Sequence, residues 1–305
     1  MISGSLTTYI ALALKGFCMG AANVIPGVSG GTMALILGIY EELINAIRSL
    51  NLRFLKLIAF AKLRDAFASI SWPFLLPVAL GILAATVTLA RVLGWLLDTY
   101  SVIVWSFFFG LILSSVFSVG KVVKQWQTVT FIAIGVGAIC AYFLFGLVPV
   151  STPDASWFLF ISGFLAICAM ILPGISGAYI LVLLGKYRYA LEALNSTDVE
   201  ALFILGVGAL VGLLSFVRLL GWLLRRYHDL TMALLIGLML GSLRRVWPWK
   251  ETVTSLTDSH GTELPALQVN VLPPRFEGEV VVALLFMVLG FVAVIIMNYW
   301  ESRKG

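Results

Sequence analysis

Residues 16–40 read GFCMGAANVIPGVSGGTMALILGIY, an apolar stretch interrupted at its centre by the motif Pro26-Gly27-Val28-Ser29-Gly30. Proline disfavours helical geometry at the residue before it, and glycine adopts backbone angles that other residues resist. Ser29 is then placed to cap a following helix. The stretch 8–46 is too long for one membrane span. It is therefore predicted to form a helix, a break and a second helix, which is a re-entrant hairpin.

The motif recurs as Pro173-Gly174-Ile175-Ser176-Gly177, and the segment 157–194 is predicted to form a second hairpin. A further match follows in the same order, Arg91–Leu97 (RVLGWLL) against Arg218–Leu224 (RLLGWLL). Between the two matches the first half carries an insert, Ile47–Ser71. Because a rare proline coincides in the first match, and a rare arginine and tryptophan coincide in the second, the chain is predicted to consist of two related halves.

The composition excludes a soluble fold. Of 305 residues, 61% are hydrophobic and only 11% are charged, whereas soluble domains carry about 25% charged residues. Several charge-free windows reach the roughly 20 residues that a helix needs to cross a bilayer, and they do not alternate as barrel strands do. The net charge of +5 lies in loops and indicates membrane orientation rather than nucleic-acid binding. Three cysteines in apolar runs and two distant histidines predict no metal site, and no cofactor is expected.

The predicted fold is an all-α integral membrane protein with two inverted repeats, each a re-entrant helical hairpin followed by three transmembrane helices. Its parts are a first repeat at 1–150, with its hairpin at 8–46 and a basic cytoplasmic insert at 47–71, and a second repeat at 151–305, with its hairpin at 157–194 and an outward loop at 250–279. The predicted spans are 73–97, 102–119, 129–148, 201–224, 230–246 and 280–299. Three crossings per half invert the second half relative to the first. The excess of lysine and arginine on the insert's side predicts that both termini are cytoplasmic, although Arg244 and Arg245 fit this bias poorly.

Two broken helices in inverted repeats are typical of transporters. A helix that begins at mid-membrane has unpaired N–H groups and a positive partial charge at its start, so it attracts anions. Glycine lets a phosphate approach the backbone, and serine or threonine adds a hydroxyl donor. The predicted phosphate ligands are Gly27, Val28, Ser29, Gly30, Gly31 and Thr32 in the first copy, and Gly174, Ile175, Ser176 and Gly177 in the second. The alternative is that these glycines serve only close helix packing.

Two arginines occupy matching positions inside apolar spans. Arg91 and Arg218 have no carboxylate partner within their spans, and a charge inside a membrane by default marks a functional site. A bound phosphate is the predicted counter-ion, met by Arg91 on the outer side and by Arg218 on the inner side. The alternative is that both side chains snorkel to the membrane surface. Glu41, which follows the first hairpin, is a candidate for proton or ion coupling or, alternatively, a solvated hairpin end.

The quoted stretch 16–40, the second hairpin and the arginine-containing spans together resemble a prokaryotic family of polyprenyl-phosphate (undecaprenyl-phosphate) transporters, formerly a family of unknown function. The resemblance covers nearly the whole chain. It implies a non-enzymatic flippase in the bacterial cytoplasmic membrane, which returns undecaprenyl phosphate from the outer to the inner leaflet for cell-wall and surface-polymer synthesis. Its partners would be the polyprenyl phosphate, membrane lipids and a possible second copy of the chain. In that family an aspartate is typical at the position of Asn23, and this departure bears on any coupling step that needs an acid there.

Two alternatives stay open at this point. Undecaprenyl-diphosphate phosphatases also have inverted repeats and a re-entrant PGxSRS motif, but this chain has Gly30 where that motif has arginine. No buried pair of glutamates is evident to act as a base or as metal ligands. A small-anion transporter would use the same kind of paired sites, and only the resemblance argues against it.

Overall fold

The computed structural model describes residues 5–24, 28–50, 54, 57, 60, 62–150, 152–257, 263–273 and 277–302. In chain order its elements are α1 (Leu6–Val24), α2 (Gly30–Ile36), α3 (Tyr40–Arg48), α4 (Leu63–Ala68), α5 (Trp72–Thr99), α6 (Ser101–Gly120), α7 (Thr128–Leu144), α8 (Ser156–Ile171), α9 (Gly177–Leu183), α10 (Tyr187–Asn195), α11 (Val199–Arg226), α12 (His228–Ser242), β1 (Lys250–Thr257), β2 (Glu263–Asn270) and α13 (Gly278–Ser302). Within this described part, α5, α6, α11 and α13 are long and apolar enough to cross a membrane. The predicted mostly helical, membrane-type architecture is therefore confirmed.

Each predicted span coincides with one helix, but two helices end earlier than the apolar pattern suggests. α7 ends at Leu144 rather than near 148, and α12 ends at Ser242 rather than near 246. After Ser242 the chain turns, and the Arg245 N–H donates to the Ser242 carbonyl at 2.8 Å. Apolar residues continue past both ends, which is why hydrophobicity alone placed these ends too late.

A short β-hairpin adds β structure to the chain predicted as all-α. Strands β1 and β2 are antiparallel, with Lys250 opposite Asn270 and Glu251 opposite Val269. They lie within the segment 250–279, which was predicted only as an outward loop. Threonine and valine in β1 favour extended backbone, because branching at Cβ suits a pleated strand.

Close glycine contacts join each broken helix to the first long helix of its own half. A Cβ on Gly16 or Gly20 of α1 would overlap or crowd the backbone of Val78 or Ile82 in α5. In α11, a Cβ on Gly208 would overlap the Phe160 carbonyl oxygen of α8. Small residues let helices pack closely in a membrane, where no hydrophobic force draws them together.

The remaining long helices pair across the two halves of the chain. α6 packs on α13, where a Cβ on Gly110 would overlap the Met287 carbonyl oxygen. α7 packs on α12, where Gly237 lies against Ile134 and Ala138. One turn further on, Gly241 lies against Ala138 and Tyr142. Later residues of α12 therefore contact later residues of α7, so the two helices are parallel.

Both predicted hairpins contain a short third helix that the sequence pattern did not separate. Gly38 (φ 67°) ends α2 before α3 begins, and Gly185 (φ 64°) ends α9 before α10 begins. This left-handed backbone geometry is strained for other residues. Every residue of α2 is buried, so the first break lies in the protein core.

Candidate functional site

The two helix breaks are in direct contact. The Ser29 hydroxyl lies 3.3 Å from the Met170 carbonyl oxygen and 3.2 Å from that of Leu172. In the opposite sense, the Gly174 N–H donates to the Thr32 hydroxyl oxygen at 2.8 Å. All of these contacts cross from one half of the chain to the other. We call them the inter-hairpin clasp.

The clasp extends along the first hairpin to Tyr40 at the start of α3. The buried Tyr40 hydroxyl donates to the Ile171 carbonyl oxygen, the last of α8, at 3.1 Å. Ser29 and Thr32 are 1% and 0% exposed. Their hydroxyls therefore serve contacts within the protein in this conformation.

In the first copy, protein groups satisfy the start of the helix after the break. The Asn23 side-chain oxygen accepts the Gly30 N–H at 2.7 Å, and the Ser29 hydroxyl oxygen accepts the Gly31 N–H at 3.1 Å. The Thr32 N–H bonds to the Ser29 carbonyl at 2.9 Å. Val28 is buried, and Gly27 lies outside the described residues. Asn23, a candidate for coupling, thus has a capping contact.

The second copy differs at the corresponding place. Ser176 precedes α9 but makes no side-chain cap, and its carbonyl accepts only from the Ile180 N–H among the described residues. The amides of residues 177–179 have no hydrogen-bond partner in the described part of the chain. Ile175 is buried and Ser176 is half-buried. The second break is therefore the one whose first backbone donors have no partner among the described residues.

The glycines at the breaks also serve packing. A Cβ on Gly31 would lie 2.7 Å from the Ile171 carbonyl oxygen, and one on Gly177 would lie 2.6 Å from the Ala166 carbonyl oxygen. A Cβ on Gly30 would lie 2.8 Å from the Asn23 side-chain amide. These distances support the packing role as well, since real Cβ atoms almost never come so close.

The clasp gives a direct test of stability. Thr32→Val keeps the shape of the side chain but removes the acceptor of the Gly174 N–H. We expect destabilisation of about 1–3 kcal/mol, the cost of a buried unpaired donor, measured by denaturation of purified protein in detergent. Thr88→Val is the control, because Thr88 only bonds the Ala84 carbonyl within its own exposed turn. Equal stabilities of the two variants would contradict this role.

The two predicted arginines lie in different environments. Arg218 is half-buried, and its Nη1 donates to the Leu214 carbonyl at 2.7 Å while its Nη2 is buried without a partner. Three residues on, Gly221 is covered by Arg48, whose Cδ lies 2.6 Å from a Cβ built on the glycine. The Nε of Arg48 is also buried without a hydrogen bond. Two guanidinium groups with unused donors, those of Arg218 and Arg48, thus lie along the same stretch of α11.

Arg91, in contrast, is exposed and has no hydrogen bond or ion pair with a described residue. Gly94, the counterpart of Gly221, has nothing within 4 Å of a Cβ built on it. The structure does not bring Arg91 to either break. In the motif that α5 and α11 share, Arg48 therefore packs on the glycine of α11, Gly221, whereas the glycine of α5, Gly94, has open space.

Glu41, the other coupling candidate, joins a polar group that the sequence did not predict. Its carboxylate lies 3.0 Å from His228 Nε2, and His228 Nδ1 lies 3.0 Å from the Asp229 carboxylate. Asp229 also accepts the amide N–H groups of Lys124 and Gln125. The group links α3 to the start of α12. A lone histidine gave no recognisable pattern in the sequence.

Comparison with known proteins places the chain among membrane transporters. The model of a family described as VCA0040-like, undecaprenyl phosphate translocase-like, matches residues 19–264. A polyprenyl-phosphate transporter of Vibrio cholerae serotype O1 is 44% identical over 276 residues, 90% of each chain. A polyprenyl-phosphate transporter of Staphylococcus aureus is 31% identical over 256 residues, 77% of this chain and 85% of that protein. No solved structure matches the chain.

Proposed function

The chain belongs to the undecaprenyl phosphate translocase-like family, and on that premise we propose that it is a polyprenyl-phosphate transporter. In particular, it moves undecaprenyl phosphate from the outer to the inner leaflet of the bacterial cytoplasmic membrane, where cell-wall and surface-polymer synthesis reuse the carrier. The observation that carries this proposal is the pair of broken helices in contact at the core of an apolar helical protein, in a chain 44% identical to a named transporter over 90% of its length.

The substrate sets a particular physical problem. Transfer of a bare ion into an apolar medium costs tens of kcal/mol, whereas a polyprenyl tail is as apolar as the lipid around it. A transporter needs only to shelter the phosphate, and the tail stays in the bilayer. Broken helices provide that shelter, since irregular backbone at membrane depth is tolerated only inside protein or along a cavity.

The helix pairs support an inverted relation between the two halves. α7 and α12 are parallel, so they cross the membrane in the same direction. Counting consecutive crossings, α5 runs in the direction of α7, because only α6 lies between them. α11 runs opposite to α12, which directly follows it. α5 and α11, which carry the matching arginine motifs, therefore run in opposite directions.

The difference between the halves supports alternating access. Arg48 of α3 covers Gly221 in the second half, while Gly94 in the first half is uncovered. In a transporter with inverted repeats, the two copies of a motif have different environments in the outward-facing conformation, and they exchange these environments in the inward-facing one. We propose that the halves exchange these arrangements during transport, so that the phosphate passes from the side of Arg91 to the side of Arg218.

The second break and Arg218 are the proposed phosphate ligands in this conformation. The unpartnered amides of residues 177–179 and the unused Nη2 of Arg218 are donors without acceptors in the described part of the chain. The first break, whose Gly30 N–H is bonded to Asn23, would bind the phosphate only after the inter-hairpin clasp opens. We propose transport rather than hydrolysis, because Gly30 stands where the related phosphatase motif has arginine.

Reconstitution tests this function. In vesicles, the purified protein should move a fluorescent short-chain polyprenyl phosphate between leaflets, with no release of inorganic phosphate. Leaflet occupancy is followed by quenching with an impermeant reductant, and phosphate release is measured in parallel. Vesicles without protein are the control. Release of phosphate from a polyprenyl diphosphate at an enzymatic rate would instead favour the phosphatase.

A further inference from the structure

Three cations gather where α12 leads into the β-hairpin. Arg244 and Arg245 follow α12, and Lys250 begins β1. We call these three residues the basic cluster. Two of them, Arg244 and Arg245, fitted the predicted charge bias poorly.

An aromatic ring lies against each cation of the basic cluster. The Arg244 guanidinium lies 4.3 Å from the ring centre of Tyr142, and Lys250 Nζ lies 4.4 Å from that of Trp105. These rings come from α7 and α6. Such contacts attract a cation to the face of a ring. They hold the cluster in place although its members repel one another.

Arg245 links the basic cluster to the second helix break. Its guanidinium lies 5.3 Å from the ring centre of Tyr179, in the first turn of α9. The same α9 begins with amides that have no partner among the described residues. The cluster therefore stands beside the break whose first backbone donors have no described partner.

The basic cluster has no anion in the described part of the chain. Arg244 Nη1 donates to the Tyr142 carbonyl at 2.8 Å, and Lys250 Nζ donates to the Arg245 carbonyl at 2.5 Å. The Nε of Arg245 is buried and has no hydrogen-bond partner. No described carboxylate forms an ion pair with any of the three. The three side chains are half-buried, and a buried donor without an acceptor, such as the Arg245 Nε, is costly.

We infer that the basic cluster is a binding site for a phosphate monoester group, held by the guanidinium of Arg245 together with Arg244 and Lys250. Arginine forks match phosphate oxygens in pairs, and lysine adds a point charge. This inference rests on the proposed function for one step: in the proposed topology the cluster lies toward the outer face. It would then receive the headgroup from the outer leaflet before the second break does.

The aromatic surroundings agree with the depth of a headgroup. Trp247 contacts both Phe109 and Trp249 edge to face, with ring centres 5.5 and 5.6 Å away. Tryptophan and tyrosine are enriched where hydrocarbon meets the polar headgroup layer. A phosphate at this level could bind while its tail remains in lipid.

Binding measurements on purified protein in nanodiscs test the inference. The probes are a short-chain polyprenyl phosphate, the matching neutral polyprenol and inorganic phosphate. Arg245→Ala should weaken binding of the lipid phosphate by about tenfold or more, since it removes charge-assisted hydrogen bonds. It should leave polyprenol binding unchanged. Arg226→Ala is the matched control, because Arg226 also lies over a ring, that of Tyr227, but is exposed and distant in the fold.

The arms separate the possible sources of the phosphate and the two proposals. If the protein binds inorganic phosphate but not the lipid phosphate, and Arg245→Ala weakens that binding, the site exists and its ligand is free phosphate. This result would contradict the proposed lipid transport. Lipid transfer with unchanged binding in Arg244→Ala, Arg245→Ala and Lys250→Ala would overturn the inference and leave the function standing. If Arg245→Ala does not fold, Arg244→Ala and Lys250→Ala decide the outcome by the same criterion.

The pH dependence of binding gives a second readout. Burial, and then the positive charge of Arg245, lower the pKa of Lys250 to about 7. The groups that face Lys250 are Arg245, which stays charged, and the Trp105 ring. Lys250 loses its charge as the pH rises through about 7, so affinity should fall by up to about tenfold per pH unit above it. Lys250→Arg should remove this fall, and identical pH profiles would exclude Lys250 from the site.

Discussion

Gly94→Leu should leave the protein folded and reduce lipid transport at least tenfold. In this conformation Gly94 has open space around it, so a leucine meets no atom within 4 Å of its Cβ. At its counterpart Gly221, a built Cβ would lie only 2.6 Å from the Arg48 Cδ. If the two halves exchange arrangements, α10 must cover Gly94 as α3 covers Gly221. A leucine there would block the second arrangement and hold the protein in the first.

The measurements are the transfer rate in vesicles and the melting temperature in detergent. Gly206→Leu on α11 is the matched control, because Gly206 also has nothing within 4 Å. Its counterpart by the repeat is Ala79 in α5, which already has a side chain. Both variants should melt like the original protein, and only Gly94→Leu should lose transport. Normal transport by Gly94→Leu would contradict the exchange of arrangements.

Gly137→Leu should destabilise the protein. A Cβ on Gly137 in α7 would overlap the Leu234 carbonyl oxygen of α12 and lie 3.1 Å from the Gly237 Cα. Backbone atoms cannot move aside as a flexible side chain can, so the two helices would have to separate. Overpacking of a well-packed core typically costs about 1–3 kcal/mol and sometimes more, and this contact joins the two halves of the chain.

The control for Gly137→Leu lies two residues away. Gly135 is on the same helix, and a Cβ built on it has nothing within 4 Å. Gly135→Leu should therefore give a normal yield of monodisperse protein and an unchanged melting temperature. Gly137→Leu should lower both. Equal behaviour of the two variants would show that the α7–α12 contact adjusts more easily than its geometry suggests.

Much of the fold was predictable because local patterns decide it. The span predicted at 102–119 is α6 at Ser101–Gly120, and the span predicted at 201–224 is α11 at Val199–Arg226. Continuous apolar runs of this length have few alternatives to a helix. The β-hairpin was missed, because the polar residues of β1 and the proline within β2 are typical of a loop. The third helix of each hairpin was missed because a single glycine, Gly38 or Gly185, separates it from the second.

The candidate site was predictable only in part. The motif located both breaks, but their different chemistry depends on contacts distant in sequence, such as that of Thr32 with Gly174. The capping role of Asn23 could have been suspected from its position just before the break. The contact of Arg48 with Gly221 could not, because no sequence pattern links residues so far apart in the chain. Identical motifs therefore predicted the equivalence of the halves but not their difference.

The pairing of α6 with α13 and of α7 with α12 has a consequence for biosynthesis. When the first half leaves the ribosome, α6 and α7 lack the helices on which they mainly pack, because α12 and α13 are still unmade. The glycine surfaces of α6 and α7 therefore contact lipid until α12 and α13 are inserted. Neither half is therefore a self-sufficient folding unit, and two separately translated halves would fold only by finding each other. On the proposed inverted relation of the halves, a single-copy ancestor would have met the same requirement by forming an antiparallel dimer in the bilayer.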